Sequence, residues 1–164
     1  MAEALRLAIL GAECTGKSEL TQSLRERLAL QTGLRVAAVG EWLREWCDLH
    51  QRTPLQHEQA SIAEEQQRRI ASACASHDIV VCDTTALMTA VYSLWYFNDR
   101  SLLESALAAH ASIDMVLLTA LDLPWQADGH QRDGEHVREP VDDLLRGLLV
   151  AQGLPFSVVH GTLS

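Results

Sequence analysis

The sequence predicts an α/β protein built on a five-stranded parallel sheet. Three observations predict it: five short apolar runs, helical periodicity between them, and a glycine-bounded loop joining the first run to the first helix. The runs are Leu5–Leu10, 34–39, 78–83, 113–119 and 155–160. Each is continuous rather than alternating, as expected for strands covered by helices on both faces.

Leu20, Leu24 and Leu28 recur every fourth residue, which puts an apolar stripe on a helix over about 17–31, ended by Gly33. At Thr53-Pro54-Leu55-Gln56, Thr53 reads as an N-cap, Pro54 as the first helical residue and Gln56 as the completion of a capping box, so a helix is expected from there to about residue 76. Two further helices are expected over 86–97 and 101–111, joined at Asn98-Asp99, and a last one from near Pro140 to just before Gly153. Strands alternating with helices imply right-handed crossovers. With no repeat, low-complexity tract or linker, residues 1–164 are expected to form a single domain.

The balance of 22 acidic against 13 basic side chains, net charge -9, disfavours a polyanionic partner, so nucleic acid is not expected. Cys14, Cys47, Cys74 and Cys82 form neither a CxxC pair nor a zinc-ligand spacing and read as free thiols of a reducing compartment. No apolar stretch approaches the ~20 residues needed to span a bilayer, so a soluble, cytoplasmic protein without a membrane partner is expected.

Residues 11 to 18 read Gly-Ala-Glu-Cys-Thr-Gly-Lys-Ser, which fits G-x-x-x-x-G-K-[ST] between an apolar strand and an amphipathic helix. Gly11 and Gly16 permit the backbone to turn successive N–H groups inward, a nest for phosphate oxygens, and the helix adds its positive end. The expectation is a P-loop NTPase, a three-layer α/β/α sandwich with a small lid, binding ATP with Mg2+. Gly11, Glu13, Cys14, Thr15, Gly16, Lys17, Ser18 and Glu19 are its candidate nucleotide-contacting residues. Lys17 supplies an ammonium to the outer phosphates and Ser18 a hydroxyl to the metal. Glu13 has the weaker claim, the plain alternative being a side chain that faces solvent.

Ligands collect beyond the carboxyl ends of parallel strands, so polar residues that end an apolar run are further candidates. Asp83 closes Ile79-Val80-Val81-Cys82 and could hold magnesium through water, or simply cap the next helix. Glu41 follows the second run and could bind sugar hydroxyls or take a proton from an attacking one, or serve only as a first-turn acid.

The stretch 121–139 is polar and rich in turn residues and reads as a lid, whose Arg132 and Arg138 could meet the transferring phosphate. His130 and His136 are a poor match to a zinc pair. Trp42, Trp46, Tyr92, Trp95 and Tyr96 lie outside the expected strands, where one or two could sandwich a flat base and the rest would pack between helices.

Together these segments resemble the nicotinamide riboside kinase domain of bacterial NadR-type proteins, over nearly the whole chain. The loop Gly11 to Ser18 carries that family's glutamate in third place. Glu41-Trp42-Leu43-Arg44-Glu45 is similar to its Glu-Tyr-Ala-Arg-Glu segment, and Asp83-Thr84-Thr85 with Trp95-Tyr96 to its Asp-Thr-Asp segment and following aromatics. Leu123 to Arg132 is similar to its Pro-Trp-x-x-Asp-Gly-x-Arg stretch. The resemblance implies transfer of the ATP γ-phosphate to the 5'-hydroxyl of a riboside, with Lys17, Glu41, Asp83 and Arg132 as catalytic residues and Ser18 and Asp83 at the metal. Thr85 departs from the family, standing where it often has a second aspartate, and its DNA-binding and adenylyltransferase modules do not fit in this sequence. The residues leave two other readings open: a nucleotide-dependent ATPase switch acting through a protein partner, and a nucleoside monophosphate kinase. The phosphate acceptor and the oligomeric state are not fixed by the sequence.

Overall fold

The computed structural model describes residues 2–126 and 134–162. Five parallel strands, β1 (Leu5–Leu10), β2 (Val36–Val39), β3 (Ile79–Asp83), β4 (Met115–Thr119) and β5 (Ser157–Val159), lie in the order β2-β3-β1-β4-β5. Among the described residues six α-helices connect them: α1 (Lys17–Thr32), α2 (Trp42–His50), α3 (Gln59–Cys74), α4 (Ala86–Phe97), α5 (Leu103–His110) and α6 (Arg138–Ala151).

The two faces of the sheet are set by strand alternation and by connection order. Ile9 of β1 and Ile79 and Val81 of β3 point to one side, where Leu20, Leu24 and Leu28 of α1 cover them. Their neighbours Ala8, Leu10, Val80 and Cys82 point to the other side, against helices α3 to α6. The chain moves leftward from β1 to β2 and rightward in every later crossover, so right-handedness puts α1 alone on one face and the remaining helices on the other.

At the N-terminal ends of the strands, acidic side chains clip neighbours together. Asp78 accepts from the Arg35 backbone N–H and side chain at 2.9–3.1 Å, and Asp114 accepts the Arg6 backbone N–H at 2.8 Å. The Arg35 guanidinium holds the Asp78 carboxyl down to about 2.

Several element boundaries differ from those expected. Strands β2 to β5 are shorter by one to three residues at one or both ends. The third helix starts at Gln59, not at Pro54, because Gln56–Glu58 form a 3-10 turn and Glu58 does the capping, accepting the Leu55 N–H at 2.8 Å. Arg52 pairs with the same carboxylate at 2.7 Å, and the two hydrogen bonds bring the Glu58 carboxyl down to about 2. Thr53 caps nothing there, so its expected role does not hold. Helix α6 begins at Arg138, two residues early, and tolerates Pro140 because first-turn N–H groups need no intrahelical partner. Helix α2 has no counterpart among the expected elements, although Trp42, Leu43, Trp46 and Cys47 sit on one helical face, with Trp46 and Cys47 buried against Ile62.

Candidate functional site

The loop between β1 and α1 owes its shape to three residues with positive φ: Gly11 (153°), Cys14 (54°) and Gly16 (82°). At Gly11 no side chain is possible, since a Cβ would stand 2.0 Å from Thr119 Oγ1. The Thr15 hydroxyl donates to the Ala12 carbonyl at 2.8 Å and accepts the proton of the Thr119 hydroxyl, which also lies 3.2 Å from the Leu10 carbonyl. The loop is thus pinned to the end of β4 by two threonines. Lys17, the first residue of α1, reaches back over the loop and donates from Nζ to the Ala12 carbonyl at 2.8 Å.

At the end of β3, Asp83 is 4 % exposed. The Ser18 hydroxyl donates to its Oδ2 at 2.6 Å, while its Oδ1 is buried without a partner. Two groups 65 residues apart in sequence therefore converge, and the carboxylate keeps a vacant acceptor. Asp83 does not cap α4. Thr85 does, accepting the Leu87 N–H at 3.3 Å.

The loop opens on a cavity of about 510 Å³ lined by residues 14–19, by Glu41 and Arg44 at the start of α2, and by Leu123, Pro124 and Gln126 after β4. The Cys14 thiol donates to the Gln126 carbonyl at 2.9 Å, tying the loop to the stretch that follows β4. On the other side of Gly16, a smaller cavity of about 100 Å³ lies between Leu20, Thr119 and His160 to Thr162.

Most candidates from the sequence converge here. Cys14, Thr15, Gly16, Lys17, Ser18, Glu19 and Glu41 line the larger cavity, and Asp83, outside that lining, accepts the hydroxyl of Ser18. Glu13 is 3 % exposed, so its solvent-facing alternative does not hold, and it does not line the cavity. Gly11 supports the loop without lining the cavity. Arg132 and His130 lie outside the described residues. Arg138 belongs not to an open lid but to the first turn of α6, 6 % exposed, outside the cavity lining, with Nε and Nη2 buried and unpartnered. The stretch expected to form the lid therefore ends earlier than 139, since a 3-10 turn (Glu135–Val137) leads straight into the helix.

Two of the aromatics are engaged in packing. The Arg69 guanidinium covers Trp42 at 4.1 Å, and Trp46 stacks on His50 at 3.8 Å with Arg52 over it at 5.0 Å. Tyr92 and Tyr96 stack on each other at 6.2 Å and face a second cavity.

One positioning residue escaped the sequence. Gln66 of α3, 2 % exposed, accepts the Trp42 N–H at 2.8 Å and donates to the carbonyls of Gly40 at 3.2 Å and Thr84 at 3.4 Å. It holds the ends of β2 and β3 in register and thereby sets Glu41 and Asp83. Its only sequence signal is a polar residue on a buried helical stripe.

A parallel sheet with a glycine loop and a carboxylate at adjacent strand ends defines a P-loop NTPase fold. Residues 6–164 match the family described as AAA domain, and the chain belongs to that family. No curated protein matches. Among solved structures, a NadR protein in complex with NAD and AMP-PNP is 22 % identical with a TM-score of 0.73, and a NadR protein in complex with NR is 19 % identical with a TM-score of 0.74. Each aligns with 98 % of this chain, which spans 46 % and 48 % of their lengths. Thymidylate kinase from Ehrlichia chaffeensis is 16 % identical with a TM-score of 0.70, over 99 % of this chain and 90 % of its own. At these identities the likeness is one of fold.

Proposed function

We propose that the protein is an ATP-dependent kinase that phosphorylates the 5'-hydroxyl of a riboside, nicotinamide riboside or a related nucleoside. The observation that carries this is the contact of Asp83 with Ser18, a residue of the cavity that Glu41 also lines. On this reading the same region would hold a phosphate-binding loop, a metal-binding pair and a proton acceptor. The likeness to NadR proteins with bound AMP-PNP and NR supports the same reading.

The backbone amides of residues 14–18 and the Lys17 ammonium would bind the phosphates, and the smaller cavity beside Leu20 and His160 would seat the adenine. The unpartnered Asp83 Oδ1 beside the Ser18 hydroxyl fits magnesium, which when bound neutralises charge on the phosphates. Glu41 would orient the 5'-hydroxyl and take its proton as the oxygen bonds to phosphorus and the bond to ADP breaks. Arg132 would stabilise the transferring group. Arg138, buried with unpartnered N–H groups, would add positive charge from behind.

A second reading, a nucleoside monophosphate kinase, is favoured by one observation: Arg44 lines the same cavity, where it could meet an acceptor phosphate. ATP-dependent ADP formation across a panel of nucleosides and nucleotides separates the readings. A riboside-stimulated reaction is expected. Stimulation only by monophosphates establishes the second reading, and slow hydrolysis indifferent to every acceptor establishes an ATPase switch.

A further inference from the structure

A second cavity, of about 230 Å³, lies between α2, the turn at residues 53–55, the start of α3 and the end of α4. Its character is different. Leu43 and Cys47 come from α2, and Tyr92, Tyr96 and Phe97 from α4. Among the described residues no basic or acidic side chain lines it. Cys47 adds no charge, because burial pushes its thiol up to about 11 and keeps it protonated. The one strongly polar group deep in this lining is Gln59, the first residue of α3. It is 3 % exposed, and its Oε1 is buried with no hydrogen-bond partner.

An orphaned carbonyl oxygen in an apolar wall is costly unless something brings a donor to it. Leu43 and Cys47 share helix α2 with Arg44 of the phosphate cavity, and Glu41 is that helix's N-cap, so one helix helps to line both spaces. A molecule with its hydroxyl at Glu41 would extend its other end toward Tyr92 and Gln59. We infer that Gln59 selects the phosphate acceptor: the second cavity takes a planar heterocycle against the Tyr92–Tyr96 pair, and Gln59 Oε1 accepts an N–H from that ring, as a carboxamide substituent would supply.

The wall discriminates in two ways. The aromatic faces favour a flat ring, and favour a cationic one further through their quadrupoles. The carbonyl oxygen favours a donor and repels a carboxylate, whose burial beside it would leave both acceptors unpaired. A ring bearing an amide is therefore accepted, and the same ring bearing an acid is rejected. This inference rests on the kinase reading for the placement of the hydroxyl, but not for the binding of the ring.

The test is equilibrium binding of nicotinamide riboside and nicotinic acid riboside to the full chain by calorimetry, with ATP-dependent phosphorylation of each measured separately. The unmodified protein should bind the amide at least tenfold more tightly than the acid. Gln59→Met should weaken amide binding and collapse that ratio toward unity, with ATP affinity unchanged as the control for folding. Gln59→Glu, close in shape, should weaken the acid further and keep the amide, and it serves if the methionine variant does not fold. Absence of riboside binding, or an unchanged ratio in both variants, overturns the inference. Phosphorylation with an unchanged ratio leaves the kinase standing without it, whereas selective binding without phosphorylation leaves the pocket standing and removes the kinase.

Discussion

The two cavities that α2 helps to line are built on opposite principles. The one at the loop is polar, formed by main-chain amides, an ammonium, a hydroxyl and carboxylates drawn from the ends of three strands. The other is apolar and, among the described residues, uncharged, formed by side chains of three helices and of the turn at residues 53–55. Strand ends converge by the geometry of the sheet, so on the proposed function the groups that would meet phosphate are placed there. Helix faces vary in shape without disturbing the sheet, so they suit recognition of whichever acceptor is bound. The division predicts that substitutions in the first cavity damage turnover and those in the second alter acceptor affinity.

The largest effect is expected at Lys17. Lys17→Ala should lower kcat by about a hundredfold to a thousandfold while thermal stability is kept, because one preorganised charge aimed at developing negative charge is worth that much. Steady-state kinetics with the best riboside measures it, and a loss confined to acceptor KM would break the division. Asp83→Asn should lower kcat by roughly a hundredfold and raise the magnesium concentration needed for half-maximal rate. Its riboside affinity, read by calorimetry, should not change. In the second cavity, Tyr92→Leu should raise acceptor KM about threefold to tenfold, the usual worth of an aromatic contact, with the KM for ATP unaltered.

The smallest effect serves as a control far from both cavities. Asp78 has its carboxyl held near 2 by Arg35, below its ordinary value, so the stability it adds is present above about pH 4 and is lost as pH falls toward 2. In Arg35→Ala the acid arm of the pH–stability curve should flatten over that window, while both ligand affinities stay as they are. A change in either affinity would mean that the strand clips reach the site.

The phosphate loop was legible because its chemistry is local: eight consecutive residues carry the glycines, the ammonium and the hydroxyl together. The sheet was legible for a similar reason, each strand being a contiguous apolar run. What was not legible depends on contacts between distant segments. Gln66 and Gln59 read as ordinary polar residues on a helix until α2 and α4 pack over them. Helix α2 is nine residues long, and its aromatic stripe resembles any apolar patch until Ile62 buries it. At Thr53 the local capping signal lost to Glu58, whose carboxylate also binds Arg52. Glu13 sits in a polar loop, and no sequence pattern indicates that its side chain turns inward.

The threonine that fills the space beside Gly11 makes two positions on separate strands' ends epistatic. Gly11→Ala alone meets both a collision with Thr119 Oγ1 and a backbone angle that side chains rarely adopt. Removing the hydroxyl by Thr119→Gly relieves the collision and leaves the angle. A double-mutant cycle therefore divides the cost of a side chain at residue 11 into a steric share, which residue 119 controls, and a conformational share, which it does not. For anyone diversifying the chain, the two positions form one codeword and must be varied jointly.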